Sequence, residues 1–316
     1  MKVYNLTDGI NIEKPIVLTI GTFDGVHAGH RAVIRVLTRK AREIGGETAL
    51  LTFNPHPRVV LHPDNHSLKL LNTLDEKRQL LEKAGLDNLI IARFDNELAR
   101  LTPLEYVRGL LAEGIKPAEV VIGDDHRFGR NREGSFEDLK EMGTMFGFGV
   151  TALDAEKVSD IRVSSTKVRQ SIIEGKVAYT SKLLTYQFPM TGVVVRGDQI
   201  GRTLGIPTAN LQINDDLKIV PARGAYVVWA KVEGGSWMPG MLNIGTRPTM
   251  KSNKDTIEVH IIGFEGDCYG KCVEVLFVDR LREEKEFSGT EELKAALISD
   301  KSKAIAILSN TTPPQL

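Results

Sequence analysis

The chain has 316 residues, of which 41 are Lys or Arg and 41 are Asp or Glu, so its formal net charge is zero. Proteins of polymeric nucleic acid or anionic membranes usually carry a basic excess, so this balance argues against both classes. Two cysteines are too few for a disulfide framework and indicate a reducing compartment, so we expect a cytoplasmic protein. We find no apolar secretion-signal core and no membrane-spanning run, and the length favours about two domains.

The first half alternates strand patterns with helix patterns. Ile16–Ile20 is a short apolar run followed by glycine, as expected of a buried parallel strand, and a helical period begins near Gly29. Further strands are predicted at 48–53, 89–94, 119–122 and 149–153, and further helices at 75–84, 103–112, 135–145 and 165–174. Five strands alternating with helices predict an α/β, doubly wound parallel sheet. Ligands of such sheets bind beyond the carboxyl ends of the strands.

The second half is mostly strand-like, with glycine-rich turns between the strands. Alternating or β-branched segments occur at 191–195, 225–232, 237–244, 257–264 and 272–279. A helix is expected at 290–298, with a further short helical turn at 303–308. We therefore predict a mostly antiparallel β-barrel with a terminal helix, and two domains, 1–180 and 181–316.

The segment GTFDGVHAGH, residues 21–30, follows the first predicted strand and opens the first predicted helix. Its glycines permit a tight turn, and a helix N-terminus offers N–H groups and a positive dipole end to phosphate. His27 and His30 are three residues apart, so both could face that phosphate. A metal site and a structural pair of histidines are the alternatives, although no third ligand is near.

A resemblance rests on four segments of the first domain: HAGH (27–30), VSSTKVR (163–169), FNPHP (53–57) and GDDHRFGR (123–130). Together they resemble the bacterial bifunctional riboflavin kinase/FAD synthetase family, whose N-terminal domain is an HxGH nucleotidyltransferase acting on FMN. By this resemblance the catalytic histidines are His27 and His30, and the other nucleotide-binding residues are Gly21, Phe23, Gly29, Ser164, Ser165, Thr166 and Arg169. The flavin-binding residues are Asn54, His56, Asp125 and Phe128. Asn54 and His126 depart from the usual residues of the family.

The segment GRTLGIPTANL, residues 201–211, is similar to the riboflavin kinase signature PTAN. Thr208 and Asn210 are two apart, so an extended chain would point both to one face, and their oxygens suit Mg²⁺. Spacing alone favours a polar loop between strands. The resemblance instead implies nucleotide binding by Gly201, Gly205, Pro207 and Thr208, Mg²⁺ at Thr208 and Asn210, Glu258 as general base, and Arg282 at the flavin. Without it, Glu258 is a solvent-exposed strand acid and Arg282 a surface charge.

The resemblance implies two consecutive reactions, ATP-dependent phosphorylation of riboflavin to FMN and adenylyl transfer from ATP to FMN, giving FAD and pyrophosphate. Mg²⁺ is the expected cofactor, and riboflavin, FMN and ATP are the expected partners. Two rival interpretations stay open. One is another HxGH enzyme, a pantetheine-phosphate or nicotinamide-nucleotide adenylyltransferase with an added β domain, and the other is a non-catalytic flavin- or nucleotide-binding regulator. Self-association is not readable from the sequence.

Overall fold

A computed structural model describes residues 1–64, 68–153, 163–197, 201, 204–246 and 255–314. The chain forms two compact units. We call residues 1–68 and 77–164 the sheet unit, and residues 69–76 and 165–316 the barrel unit. The predicted functional boundary near residue 180 stays a prediction, since the division by compactness falls between Ser164 and Ser165.

The sheet unit is built on six described strands that form one parallel sheet. The strands are β1 (Lys2–Asn5), β2 (Ile16–Ile20), β3 (Glu47–Asn54), β4 (Asn88–Arg93), β5 (Glu119–Ile122) and β6 (Gly149–Ala152). Their order is β1-β4-β3-β2-β5-β6, with parallel pairing throughout. The sheet therefore runs outward in both directions from β2, which confirms the doubly wound prediction. The sequence does not predict β1, because KVYN contains no apolar run and both of its end residues are exposed.

Helices connect these strands. Those between residues 28 and 146 are α1 (Ala28–Glu43), α2 (Pro57–Leu61), α3 (Leu74–Lys83), α4 (Asn96–Arg100), α5 (Pro103–Tyr106), which continues as a π-helical segment (Val107–Ile115), and α6 (Phe136–Phe146). Every residue of β2 is buried, as expected of a strand with helices on both faces of its sheet. Because β2 and β3 are central and parallel, the loops that follow them start at the same edge of the sheet.

The barrel unit is a closed antiparallel barrel followed by a helix. Its described strands are β7 (Pro189–Val195), β8 (Ala209–Gln212), β9 (Gly224–Val232), β10 (Met238–Gly245), β11 (Thr256–Ile261) and β12 (Cys272–Glu283), in the closed order β10-β11-β8-β7-β12-β9. Its helices are α7 (Ser165–Ile173), α8 (Val177–Leu184) and α9 (Thr290–Ser309). The predicted barrel is confirmed. The sequence does not predict α8, which is only eight residues long.

The terminal helix is one element where the sequence predicts two. No glycine or proline interrupts the chain between Thr290 and Ser309, so nothing in the sequence requires a break. Ala304 and Leu308 on α9 pack with Trp229 of the barrel wall. No described helix is both long and apolar enough to cross a membrane.

A buried ion pair fixes residues 69–76 within the barrel unit. The Nζ atom of Lys218 donates to Glu76 Oε2 (2.5 Å), to the Leu71 carbonyl (2.8 Å) and to the Pro189 carbonyl (2.9 Å). Both charged side chains are almost fully buried. A buried pair tolerates loss of one partner poorly, because the other charge is then left in a dry environment.

Lys218→Met is expected to lower the free energy of unfolding of the barrel unit by about 3–5 kcal/mol, because it strands the Glu76 carboxylate. Both tryptophans of the chain, Trp229 and Trp237, lie in this unit, so urea unfolding followed by tryptophan fluorescence reports on it. The matched control is Lys285→Met, which removes a solvent-exposed ion pair and should change stability far less. Equal losses in the two variants would contradict the role given to the buried pair.

Candidate functional site

The loop between β2 and α1 has an unusual backbone. Phe23 (φ 46°) and Val26 (φ 36°) both adopt left-handed conformations that are uncommon outside glycine, and Gly25 between them has φ 91°. The Val26 N–H donates to the Phe23 carbonyl at 3.1 Å, which closes the turn. Such strained conformations cluster at functional sites. The sequence motif at 21–30 thus corresponds to a specifically shaped turn at the sheet edge.

The two histidines of this motif are stacked on each other. The ring centroids of His27 and His30 lie 3.7 Å apart, and the Phe23 ring stacks on the other side of His30 at 4.4 Å. His27 also caps α1, since its Nδ1 accepts from the His30 backbone N–H at 3.4 Å. A Cβ atom at Gly29 would lie 3.2 Å from the His27 ring, which explains the small residue between the histidines. The motif therefore places both rings at one helix N-terminus.

A buried lysine that the sequence interpretation missed lies beside this turn. Lys77 is 8% exposed, and its Nζ donates to the Thr22 carbonyl at 2.8 Å. Burial lowers the pKa of Lys77, whereas the nearby Asp24, itself 2% exposed, raises it. Burial, followed by the charges of His27 and Lys77, holds the pKa of His30 well below 6.5. The turn therefore combines a buried lysine with an imidazole ring whose neutral form is favoured.

No local signal marks Lys77 in the sequence. It is separated from Thr22 by 55 positions and lies in the polar pattern of α3, where a lysine ordinarily faces solvent. Asp24 could have been noticed, because an acid inside the glycine-rich motif is an unfavourable neighbour for phosphate unless a cation accompanies it. The Nδ1 atom of His30 is buried and has no hydrogen-bond partner in the part of the chain that the structure describes.

The second sequence signature, residues 163–169, starts near the first. A Cβ atom at Gly29 would lie 3.9 Å from the Val163 carbonyl oxygen, and both residues belong to the sheet unit. Ser164 precedes α7, and the predicted residues within that helix are Ser165, Thr166 and Arg169. Within the barrel unit, the Nε atom of Arg169 donates to the Lys69 carbonyl at 2.7 Å. The phosphate-binding role of these residues stays a prediction.

The predicted flavin-side residues of this unit have different environments. Asn54 is exposed at the end of β3, and His56 caps α2 with its Nδ1. Asp125 is exposed in the loop after β5. Phe128 is only 5% exposed, and its ring packs 5.5 Å from that of Tyr106 in the hydrophobic core. Its expected contact with flavin, like those of the other three residues, stays a prediction.

In the barrel unit, β8 and β11 bring three oxygen-bearing side chains together. The Thr208 hydroxyl donates to Glu258 Oε2 at 3.0 Å. Asn210 on β8 is directly opposite Glu258 on β11, and Asn243 on β10 is opposite it on the other side. Side chains of directly opposed residues lie on the same face of a sheet. Glu258 is therefore flanked on both sides, and the sequence interpretation missed Asn243.

Glycine is required in the turn that leads to β8. The Ile206 N–H donates to the Gly201 carbonyl at 2.8 Å. A Cβ atom at Gly201 would overlap the Ile206 carbonyl oxygen and lie 3.1 Å from the Thr208 hydroxyl. Gly205 has φ 77°, which other residues rarely adopt. The glycines of this segment thus permit the turn that brings Pro207 and Thr208 to β11.

The predicted metal ligands, Thr208 and Asn210, offer oxygen atoms, which fits the preference of Mg²⁺. Among the described residues, no group of three or more His, Cys, Asp or Glu could hold a metal ion by itself. Mg²⁺ at protein sites usually keeps few protein ligands and is held partly by substrate phosphates. The residues therefore fit a nucleotide-bound Mg²⁺ better than a permanent metal centre.

Arg282 is already engaged within its own unit. Its Nε and Nη2 atoms each lie 2.9 Å from Oδ2 of the buried Asp300 on α9, and its guanidinium lies 5.3 Å from the Phe287 ring centroid. Arg282 thus ties β12 to the terminal helix. Its expected contact with flavin stays a prediction.

Comparisons with known proteins match the two halves of the chain to two different family models. A family model described as FAD synthetase matches residues 10–167, and one described as riboflavin kinase matches residues 184–308. The bifunctional riboflavin kinase/FMN adenylyltransferase of Escherichia coli (strain K12) is 36% identical over 301 residues, which cover 95% of each chain. The protein of the same name from Listeria monocytogenes is 36% identical over 93% of this chain and 92% of its own. A crystal structure described as a macrolide-efflux protein from Streptococcus pneumoniae is 29% identical, with a TM-score of 0.83 over 99% of this chain and 100% of that one.

The His30 imidazole is expected to stay neutral well below pH 6.5, because burial disfavours the charged ring and neighbouring positive charge repels it. NMR titration of a histidine-labelled chain, assigned with His30→Asn, measures this. Lys77→Met should raise the pKa of His30, since it removes a nearby cation. Lys83→Met, an exposed lysine on the same helix, is the control that should leave it unchanged. Titration near 6.5 in the unmodified chain, or no response to Lys77→Met, would contradict this electrostatic account.

Proposed function

The chain belongs to the bifunctional riboflavin kinase/FMN adenylyltransferase family, and we propose that its two units carry the two activities separately. The barrel unit transfers the γ-phosphoryl group of ATP to riboflavin and releases FMN and ADP. The sheet unit transfers the adenylyl group of a second ATP to FMN and releases FAD and pyrophosphate. The observation that carries this proposal is the convergence of Thr208, Asn210 and Glu258 on one face of the barrel.

In the kinase step, Glu258 acts as the general base. Its carboxylate accepts the proton of the ribityl 5′-hydroxyl, whose oxygen attacks the γ-phosphorus while the bond to the ADP oxygen breaks. The hydrogen bond from Thr208 fixes the orientation of that carboxylate. A hydroxyl has one donor and two acceptor lone pairs, so Thr208 can serve Glu258 and still offer its oxygen to a cation.

Thr208 and Asn210 would hold Mg²⁺ together with the ATP phosphates. When bound, Mg²⁺ supplies neutralisation of the phosphate charge. The other nucleotide contacts proposed in this unit are those of the turn that leads to β8, namely Gly201, Gly205 and Pro207. Phosphoryl transfer requires mainly positioning and charge stabilisation from the protein, which suits a site built from one hydroxyl, one amide and one carboxylate.

In the adenylyl step, a phosphate oxygen of FMN attacks the α-phosphorus of ATP, and pyrophosphate leaves. An ionised phosphate needs no general base. His27 and His30 at the N-terminus of α1 offer N–H donors to the developing charge, and the buried Lys77 adds a positive charge beside the same turn. Gly21, Phe23 and Gly29 shape this turn, and we assign the β- and γ-phosphates to Ser164, Ser165, Thr166 and Arg169.

We assign the flavin contacts to Asn54, His56, Asp125 and Phe128 for FMN, and to Arg282 for riboflavin, on the family resemblance. The cytoplasm remains the expected compartment of this chain, because two free cysteines favour a reducing environment.

Glu258→Gln should lower FMN formation by roughly 10²–10⁴-fold, because glutamine keeps the size and the hydrogen bond to Thr208 but cannot accept the proton. FAD formation from supplied FMN should be unchanged. The measurement is chromatography of the flavins, with Glu274→Gln on β12 as the matched control that should keep both activities. Retained kinase turnover in Glu258→Gln would rule out the general base.

His27→Asn and His27→Ala together separate catalysis from helix capping. Asparagine still caps a helix well, whereas alanine does not, so only the alanine variant should lose stability. Both should lower FAD formation from FMN by about 10²–10³-fold, because both remove the imidazole donor, and both should leave FMN formation intact. Normal FAD formation in His27→Asn would show that His27 serves only as the helix cap.

A further inference from the structure

A second buried side chain on β11 contacts the turn that carries Thr208. His260 follows Glu258 by two residues, so both project from the same face of the strand. His260 is only 6% exposed, and its Nδ1 atom lies 2.7 Å from the Pro207 carbonyl oxygen. A carbonyl oxygen only accepts, so Nδ1 carries the proton and donates it.

We infer that His260 is a positioning residue of the kinase site, which holds the Pro207 carbonyl so that Thr208 and Asn210 meet Glu258. The inference rests on the proposed kinase function of the barrel unit. It gives this histidine a part in the reaction that acts through the Pro207 carbonyl.

The described strand pairings of β8 stop short of Pro207, since they end at Asn210 on the β7 side and at Ala209 on the β11 side. The described pairing of β8 with β11 consists of Asn210 opposite Glu258 and Ala209 opposite Val259. Beyond Ala209 comes Thr208, whose side chain bonds to Glu258, and then Pro207, which has no N–H to donate. The His260 side chain supplies the next connection, to the carbonyl that Pro207 does possess.

Packing alone gives no reason for histidine at this position. The Nε2 atom of His260 is buried and has no hydrogen-bond partner among the residues that the structure describes. A buried polar atom without a partner costs stability, so an apolar side chain would serve a purely structural position better. The hydrogen bond from Nδ1 to Pro207 is what offsets that cost.

The expected effect is on turnover. If the Pro207 carbonyl is released, Thr208 loses its fixed distance from Glu258, and the base and the nucleotide ligands are no longer held in register. A misplacement of about 1 Å can cost on the order of 10²-fold in rate. The residue assigned to riboflavin, Arg282, lies on a different strand, β12, so KM for riboflavin should change little while kcat falls.

Two amide variants test the inference in the full chain. In His260→Asn the amide nitrogen occupies roughly the place of Nδ1 and can still donate to Pro207, whereas in His260→Gln it lies near the place of Nε2. We expect kcat for FMN formation to fall about 10–100-fold in His260→Gln and to stay within about threefold of the unmodified chain in His260→Asn. KM for riboflavin and FAD formation from supplied FMN should be unchanged in both.

Three results would overturn the inference: normal kcat in His260→Gln, equal loss in both variants, or a barrel that no longer folds in either variant by tryptophan fluorescence. Normal kcat in His260→Gln would show that His260 has no role in turnover. Equal loss in both variants, or loss of folding, would show that His260 serves packing or folding of the barrel. Failure of the proposed function is distinguishable, because then the unmodified chain would itself form no FMN from riboflavin and ATP.

Discussion

The pairing of β8 with β11 is the constraint on which the barrel site depends. Side chains alternate between the faces of a strand, so a slip of one residue would turn Asn210 away from Glu258. The same strand also closes the barrel, since β8 lies between β11 and β7. The hydrogen bonds that close the barrel therefore also set the distance between the proposed base and the proposed metal ligands. In this unit, stability and site geometry have a common origin.

The sheet unit solves a different problem, because it must attract a polyphosphate within a chain of zero net charge. The contributors proposed here are one buried lysine, Lys77, a helix N-terminus and two stacked histidines. A charge held in a dry environment acts over a longer distance than one in water, so a buried lysine is expected to contribute more at this turn than a surface lysine would. The neutral composition thus argues against polymeric nucleic acid without arguing against nucleotides.

The sequence predicts the architecture because apolar periodicity reports burial directly. Ile16–Ile20 and Glu119–Ile122 are predicted with the bounds that the structure gives them. Lys77 cannot be predicted, since its identity as a site residue arises from a contact across 55 positions. The proximity of Thr208 and Glu258 likewise depends on a strand pairing, and without the family resemblance spacing alone favours a polar loop. Local pattern therefore predicts elements, while the sites depend on pairings between distant segments.

The most direct test of two separate activities uses ATP labelled at one phosphorus at a time. The unmodified chain is incubated with riboflavin, Mg²⁺ and either γ-labelled or α-labelled ATP, and the flavins are separated by chromatography. We predict that γ-label enters the phosphate of FMN, and that α-label enters FAD but never FMN. Formation of no flavin nucleotide, or α-label in FMN, would contradict the account.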